Sequence, residues 1–402
     1  MNLNGKKKTI IKQLLIYYIK IIFCFLFKLV YIFPIKKNRI IFSSYSGRQY
    51  SCNPKYIFEK LVELYPNKFE VFWVANVTPN IPRKEAKYLT RNTLRYCYYM
   101  LTAHVIIDNV DVNAFLPYRK EQLKINTWHG GGAYKKIGVD INQTKPEYLR
   151  LIRTGKATDI VLSSSERFSE AFVSSHHIDL SKMWEIGMPR NDVFFRLLPD
   201  MIQNTRKKIG IGPDEKLIIY APTYRRELLN VSFKTAIFDI DTCLDALQKR
   251  FMGKWILGFR MHYAYDSHVK TIPHSINLSS YPDMQELLLV ADVLITDYSS
   301  SIWDFSFTKR PCFIYANDLE QYKSDVDFYT PIEQWPFPMA QNNDQLVQNI
   351  LNFDQDSYLV AVNQHYKDLG SCETGHASET VAKAIYDYCF NNISKEDVLK
   401  YK

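Results

Sequence analysis

The sequence predicts an α/β protein of two successive domains, each built on a parallel sheet, and three observations predict it. Short apolar runs alternate with helix-length segments along most of the chain, as they do in parallel sheets covered on both faces. The alternation breaks at Gly187-Met188-Pro189-Arg190-Asn191-Asp192 and then resumes. At 402 residues, with 47% hydrophobic and 23% charged side chains, the chain is long enough for two cores and too apolar to be disordered.

The first segment, residues 1–37, stands apart. Residues 10–33 are rich in Ile, Leu, Phe and Tyr, but Lys12, Lys20 and Lys28 interrupt them, leaving uncharged runs well short of the ~20 residues of a spanning helix. Steps of eight residues advance roughly 80° around a helix, so these lysines fan over about half the circumference and leave an apolar face opposite. That pattern predicts a basic amphipathic helix lying in an anionic membrane surface, with the protein peripheral on the cytoplasmic face of the cell membrane. No small-residue cleavage site follows, which argues against a signal peptide. The net charge of +9 is located here: residues 1–40 carry nine of the 51 basic residues and no acid, leaving 42 basic against 42 acidic residues elsewhere. A neutral body excludes a general nucleic-acid binder. The 7 cysteines are widely spaced with no CxxC pair, which points to a reducing compartment and no structural zinc.

From residue 38 the alternation begins. Strands are expected at 39–43, 69–75, 87–90, 104–108, 123–127, 159–163 and 182–186, with a helix at 54–64 and further helical connections. These make a first Rossmann-like domain, residues 38–195. A polar helix at 199–209 opens the second, residues 196–375, with strands at 217–220, 255–259, 276–279, 292–296 and 312–315 and helices at 241–251 and 302–307. Residues 376–390 read as an amphipathic helix, so 376–402 is expected to pack back on the body. Two Rossmann-like domains with parallel sheets facing a central cleft are the GT-B arrangement of many nucleotide-sugar transferases.

Four motifs fall at strand ends, where open α/β sheets place their ligands. In Asn126-Thr127-Trp128-His129-Gly130-Gly131-Gly132, the glycines let the backbone approach a ligand closely, and His129 titrates near neutrality, as a general base requires. In Tyr220-Ala221-Pro222-Thr223-Tyr224-Arg225, Arg225 is placed to hold a diphosphate or a polymer phosphate. In Gly258-Phe259-Arg260-Met261-His262 a strand again ends in a cation and an imidazole. In Thr296-Asp297-Tyr298-Ser299-Ser300-Ser301 three hydroxyls stand at a helix start, a ready phosphate site with Ser299 and Ser300 as donor contacts. Asp304 is a candidate partner for a basic residue or a ribose, and Asp283 a helix cap. Asp239-Ile240-Asp241 opens a helix rather than binding metal. No Walker loop, GxGxxG, HExxH or GxSxG occurs, so neither a metal nor a cofactor is expected.

TDYSS followed by an apolar helix, KRP and FIYANDLEQY, together with WHG, APTYR and the R-x-H of Arg260 and His262, resembles the CDP-glycerol glycerophosphotransferase family of teichoic acid and capsule polymer enzymes. The resemblance covers about residues 38–390. The sequence departs from the commoner WHGTPLK by reading WHGGGAYKK, a difference that bears on acceptor recognition. The resemblance implies the GT-B fold and transfer of glycerol phosphate, or another alditol phosphate, from CDP-glycerol or CDP-ribitol to a hydroxyl of a lipid-linked glycan or polymer, with release of CMP. It implies that His129 is the catalytic base and that His262 binds the diphosphate or protonates the leaving phosphate. Arg225, Arg260, Thr296, Asp297, Ser299 and Ser300 would bind the donor. Two alternatives stay open: a GT-B glycosyltransferase using a nucleotide sugar in cell-surface polysaccharide synthesis, and a non-catalytic subunit of a polymer assembly complex.

Overall fold

Ile40, Ile41 and Phe42 are all fully buried, as they must be in a central strand covered on both faces. In the computed structural model, which describes residues 3–76, 84–141, 143–223, 238–261 and 275–402, they lie in the middle of a seven-stranded parallel sheet. Its strands are β1 (Lys36–Ser43), β2 (Glu70–Val74), β3 (Ala86–Leu89), β4 (Ala103–Asp108), β5 (Leu123–Asn126), β6 (Ile160–Ser163) and β7 (Met183–Glu185), in the order β3-β2-β1-β4-β5-β6-β7. Side chains alternate between the faces. Ile40 and Phe42 join Trp73, Val105 and Ile107 in one core, while Ile41 joins Phe72, Val74 and Ile106 in the other.

The second sheet has six strands: β8 (Glu215–Tyr220), β9 (Lys254–Phe259), β10 (Ser275–Asn277), β11 (Val293–Thr296), β12 (Cys312–Tyr315) and β13 (Met339–Ala340). All pairs are parallel, and the order is β10-β9-β8-β11-β12-β13. Both sheets therefore reverse direction once, between β1 and β4 in the first and between β8 and β11 in the second. This is the doubly wound Rossmann order, in which the reversal opens a crevice at the strands' C-terminal ends.

The chain forms two compact units. One comprises Met1–His129, Lys136–Asp192 and Cys372–Lys402, and the other Gly130–Lys135 and Val193–Ser371. The last long helix, Ala377–Phe390, supplies Val381, Ala382, Ile385 and Tyr388 to the core of the first unit. Its N-terminus is fastened by Asp192, whose carboxylate accepts from the amides of Ala377 and Ser378 at 3.1 and 2.8 Å.

The N-terminal helix, Leu3–Leu26, continues as a tighter turn over Phe27–Ile32. One side rests on the first unit: Tyr17 meets Phe115 edge-on with ring centroids 5.5 Å apart, and the Tyr31 hydroxyl donates to the Pro117 carbonyl at 2.6 Å. Ile11, Leu15, Ile22, Phe25 and Ile32 are exposed. The most apolar 18 residues within Thr9–Ile32 have a mean hydropathy of 2.1, and by length and composition alone this helical stretch is long and apolar enough to cross a membrane. Isolated lysines do not forbid this, because their stems are apolar and the ammonium groups can reach outward.

Candidate active site

In the first unit, Asn126 ends β5 and its side chain accepts the Trp128 amide at 2.8 Å, closing a tight turn. Trp128 sits in the left-handed region with φ +50°, a conformation a bulky residue adopts only when its surroundings impose it. Asn53, at the start of the helix Cys52–Leu64, does this. Its fully buried amide donates to the carbonyls of Thr127 at 2.9 Å and Trp128 at 3.1 Å, and its oxygen accepts the Arg190 amide at 3.1 Å.

The turn delivers His129, half-buried, against segments that follow the two central strands. Its Nδ1 lies 2.7 Å from the carbonyl of Asn109, just after β4, and its ring is 5.6 Å from that of Tyr45, just after β1. A carbonyl oxygen can only accept, so Nδ1 carries the hydrogen and Nε2 is left with the lone pair. In the neutral ring Nε2 is then the nitrogen that can accept a proton. Asn109 is itself held, its side-chain oxygen accepting the Tyr45 amide at 2.7 Å. Behind the turn, His176 stacks on Phe172 at 4.0 Å and meets Trp128 at 5.2 Å; burial pushes its pKa down to about 4, so it stays neutral and acts as packing.

The glycines after His129 come close to protein side chains. Gly130–Lys135 belongs to the second unit, where a side chain on Gly131 would run into the Trp303 indole. One on Gly132, φ +75°, would come within 2.5 Å of Tyr134 and 2.8 Å of Trp303. The close approach is thus to Trp303, in the helix Ser301–Ser306 that follows Thr296-Asp297-Tyr298. Tyr134 anchors the loop: its hydroxyl is 3.1 Å from His365 Nε2, and its carbonyl accepts the Tyr329 amide at 2.7 Å.

Also in the second unit, β8 and β11 end side by side. Thr296 is buried and donates to the Ala221 carbonyl at 2.6 Å. Asp297 is buried and accepts from the Thr223 amide at 2.8 Å, the Thr223 hydroxyl at 2.7 Å and the Tyr298 amide at 2.5 Å. Thr296 and Asp297 therefore lock the strand ends that flank the crevice. Ser299 and Ser300 are half-buried; the Ser299 hydroxyl accepts from the Ser301 hydroxyl at 3.0 Å, and Ser300 takes the N-cap position without a side-chain cap bond. Arg260 follows β9 and donates from one guanidinium nitrogen to the carbonyls of Leu278 at 2.8 Å, Ser279 at 2.9 Å and Tyr281. Asp304 is buried and receives the Gln285 amide at 3.0 Å. Asp283 and Asp239 cap the helices Met284–Val290 and Ile240–Phe251, as their positions suggested. Arg225 and His262 lie outside the described residues. Among the described residues no group of three or more His, Cys, Asp or Glu is arranged to hold a metal ion.

Two doubly wound sheets, one bearing a tautomer-fixed imidazole and the other hydroxyls at a strand–helix turn beside its reversal, define the class: a GT-B-like α/β protein. The comparisons make this specific. Residues 25–387 match the family described as CDP-Glycerol:Poly(glycerophosphate) glycerophosphotransferase, and the chain belongs to that family. It is 30% identical over 368 residues to a teichoic acid poly(glycerol phosphate) polymerase of Staphylococcus epidermidis, covering 88% of this chain and 51% of the relative. It is 29% identical over 378 residues to a teichoic acid glycerol-phosphate transferase of Staphylococcus aureus, covering 90% of this chain and 95% of that one. The chain thus spans about half the length of the first of these relatives and nearly all of the second. Among solved structures, the wall teichoic acid polymerase TagF superposes with a TM-score of 0.81 at 28% identity, covering 98% of this chain and 100% of that one. A variant of TagF soaked with CDPG gives the same score, identity and coverage.

Proposed function

We propose that this chain transfers glycerol phosphate from CDP-glycerol to a hydroxyl group of a lipid-linked glycan or teichoic-acid-type polymer, releasing CMP. The observation that carries the reading is the His129 imidazole, held by the Asn109 carbonyl so that Nε2 is the base, in a member of this family. Support comes also from the likeness to proteins described as glycerol-phosphate polymerases and transferases. In the reaction, Nε2 takes the acceptor's hydroxyl proton and the oxygen forms a bond to the phosphorus bearing the glycerol. The bond from that phosphorus to the bridging oxygen breaks, and its electron pair leaves with CMP. Ser299 and Ser300 contact the donor phosphates, while Arg225, Arg260 and His262 neutralise the charge of the diphosphate. Thr296 and Asp297 contribute by holding the strand ends in place. The chain acts at the cytoplasmic face of the membrane, attached through its N-terminal helix.

The test is CMP release from CDP-glycerol by purified protein with a lipid-linked acceptor, wild type beside His129→Ala. The variant is expected to melt as the wild type does and to lose at least two orders of magnitude in turnover, the scale of a lost general base. Wild-type turnover in the variant would remove His129 from the mechanism. No CMP from the wild type with either CDP-glycerol or CDP-ribitol would overturn the reaction itself.

A further inference from the structure

The Asn109 carbonyl that meets His129 belongs to a peptide unit whose other end is also held. That carbonyl and the Val110 amide lie in one rigid trans peptide plane and point in opposite directions. The Val110 N–H donates to the carboxylate of Asp108 at 2.7 Å. The next peptide unit is likewise held at both ends. The Asp111 N–H donates to the same Asp108 oxygen at 3.1 Å, and the Val110 carbonyl accepts from the Asn126 side-chain amide at 3.1 Å. One carboxylate oxygen thus folds the chain back on itself where β4 ends.

Asp108 and Asn109 are both buried in the first unit. The Asp108 carbonyl accepts the Thr127 amide at 2.8 Å, and Ser43, at the end of β1, adds a side-chain hydrogen bond to the Asp108 carboxylate. The Asn109 side chain grips the turn after β1, through the Tyr45 N–H at 2.7 Å and the Ser44 hydroxyl at 3.4 Å. That grip places residue 109 but does not orient the peptide plane that follows it, because the side chain leaves from Cα and the backbone can still rotate about the next bond. The plane is oriented by what its N–H bonds to, which is Asp108. Turned over, the same plane would present the Val110 N–H to His129. An N–H can only donate, so Nδ1 would have to accept and the ring hydrogen would sit on Nε2. That tautomer cannot take a proton at Nε2.

We propose that Asp108 is a positioning residue for the transfer: through the Asn109–Val110 peptide plane, its carboxylate sets the tautomer of His129. This deepens the transferase reading and rests on it for the role of His129 as base; the tautomer itself is measurable without turnover. What the turn requires of residue 108 is an acceptor oxygen at that place rather than a charge. Asparagine carries such an oxygen on a side chain of the same shape, serine a shorter and weaker one, and alanine none.

The experiment records the nitrogen-15 shifts of the imidazoles in the purified full chain, at a pH where they are neutral. The His129 signals are identified by their loss in His129→Ala. Beside this, CMP release from CDP-glycerol is measured with a lipid-linked acceptor. In the wild type the hydrogen is expected on Nδ1. Asp108→Ala should move it largely to Nε2 and lower kcat by roughly ten- to a hundredfold, the scale of a misplaced catalytic group, with the KM for CDP-glycerol within about twofold. Asp108→Asn should restore the Nδ1–H tautomer and most of kcat, and Asp108→Ser should fall between. All variants are compared below their melting temperatures, and if Asp108→Ala does not fold, Asn against Ser supplies the same test. A wild-type tautomer in the Ala and Ser variants overturns the proposal. So does a lowered kcat with the tautomer unmoved, or an Asn variant as impaired as the others. If the wild type releases no CMP, the transferase reading fails, while the link from Asp108 to the His129 tautomer stands or falls on the shifts.

Discussion

His129 was legible as a candidate base because an imidazole between a tryptophan and three glycines at a strand end has few structural uses. What fixes its tautomer was not legible. The Asn109 carbonyl that fixes its tautomer and the Asn53 amide that holds the turn come from distant parts of the chain, and a lone asparagine in a helix carries no signal of its own. Asn53 is a positioning residue, and its removal gives a specific expectation. Asn53→Ala takes their Asn53 partner from the buried Thr127 carbonyl and the Arg190 amide, costing on the order of 1–3 kcal/mol for each group left unsatisfied, while the half-buried Trp128 carbonyl keeps the Thr127 hydroxyl at 3.3 Å. Trp128 then relaxes from φ +50° and the imidazole moves. A displacement near 1 Å costs about a hundredfold in rate, so kcat should fall by roughly ten- to a hundredfold while the KM for CDP-glycerol stays put. Steady-state kinetics at a temperature where the variant is folded would decide it. An unchanged kcat would mean that the Asn109 contact alone positions the ring.

At the level of elements, the strands were readable to within a few residues because fully buried parallel strands are uninterrupted apolar runs, as in β4, β8 and β12. The strand β13 was missed: Met339–Ala340 is two residues long, and no apolar run marks it. The glycine loop was legible as a close approach, but the partner, Trp303, could be found only from its neighbour in space. That contact predicts that Gly131→Ala overpacks the indole and lowers stability by ~1–3 kcal/mol. A smaller ring should make room, so Trp303→Phe in the same chain should recover part of the loss, and thermal melts of the two single variants and the double variant measure the coupling. Strict additivity would show that the loop, and not Trp303, gives way. The N-terminal helix calls for a truncation placed with similar care. Phe27 and Val30 pack on a core cluster of the first unit and Tyr31 is hydrogen-bonded to it, so the cut belongs after Leu26. Loss of vesicle binding, with transfer to a soluble acceptor retained, is the expected result. The helix touches the body at Tyr17 and Tyr31, and unchanged membrane recovery would refute the anchor.

On the scale of the whole molecule, each unit encloses a neutral histidine, and this sets how the protein responds to acid. His176 in the first unit and His365 in the second are both held near pKa 4, chiefly because burial penalises the charged form. Unfolded, each returns to about 6.5. Between these values the unfolded chain binds protons that the folded chain does not, so stability falls as pH drops from about 6.5 towards 4 and is independent of these groups above 6.5. Each histidine contributes at most one proton, ~1.4 kcal/mol per pH unit in the middle of that window. The two lie in different cores, His176 against Phe172 and Trp128, His365 against Tyr134, so their effects on proton uptake should add. Denaturant unfolding at a series of pH values should show a slope reduced by about one proton in His176→Gln or His365→Gln and by about two in the double variant. Carboxylates also titrate in this range, but they do so equally in all four proteins, and the difference isolates the imidazoles. An unchanged slope in the double variant would mean that both histidines are already protonated in the folded chain. The neutral Tyr134–His365 pair could not then be what anchors the glycine loop, and the stability of that loop would have to rest on Trp303 and the Tyr329 amide alone.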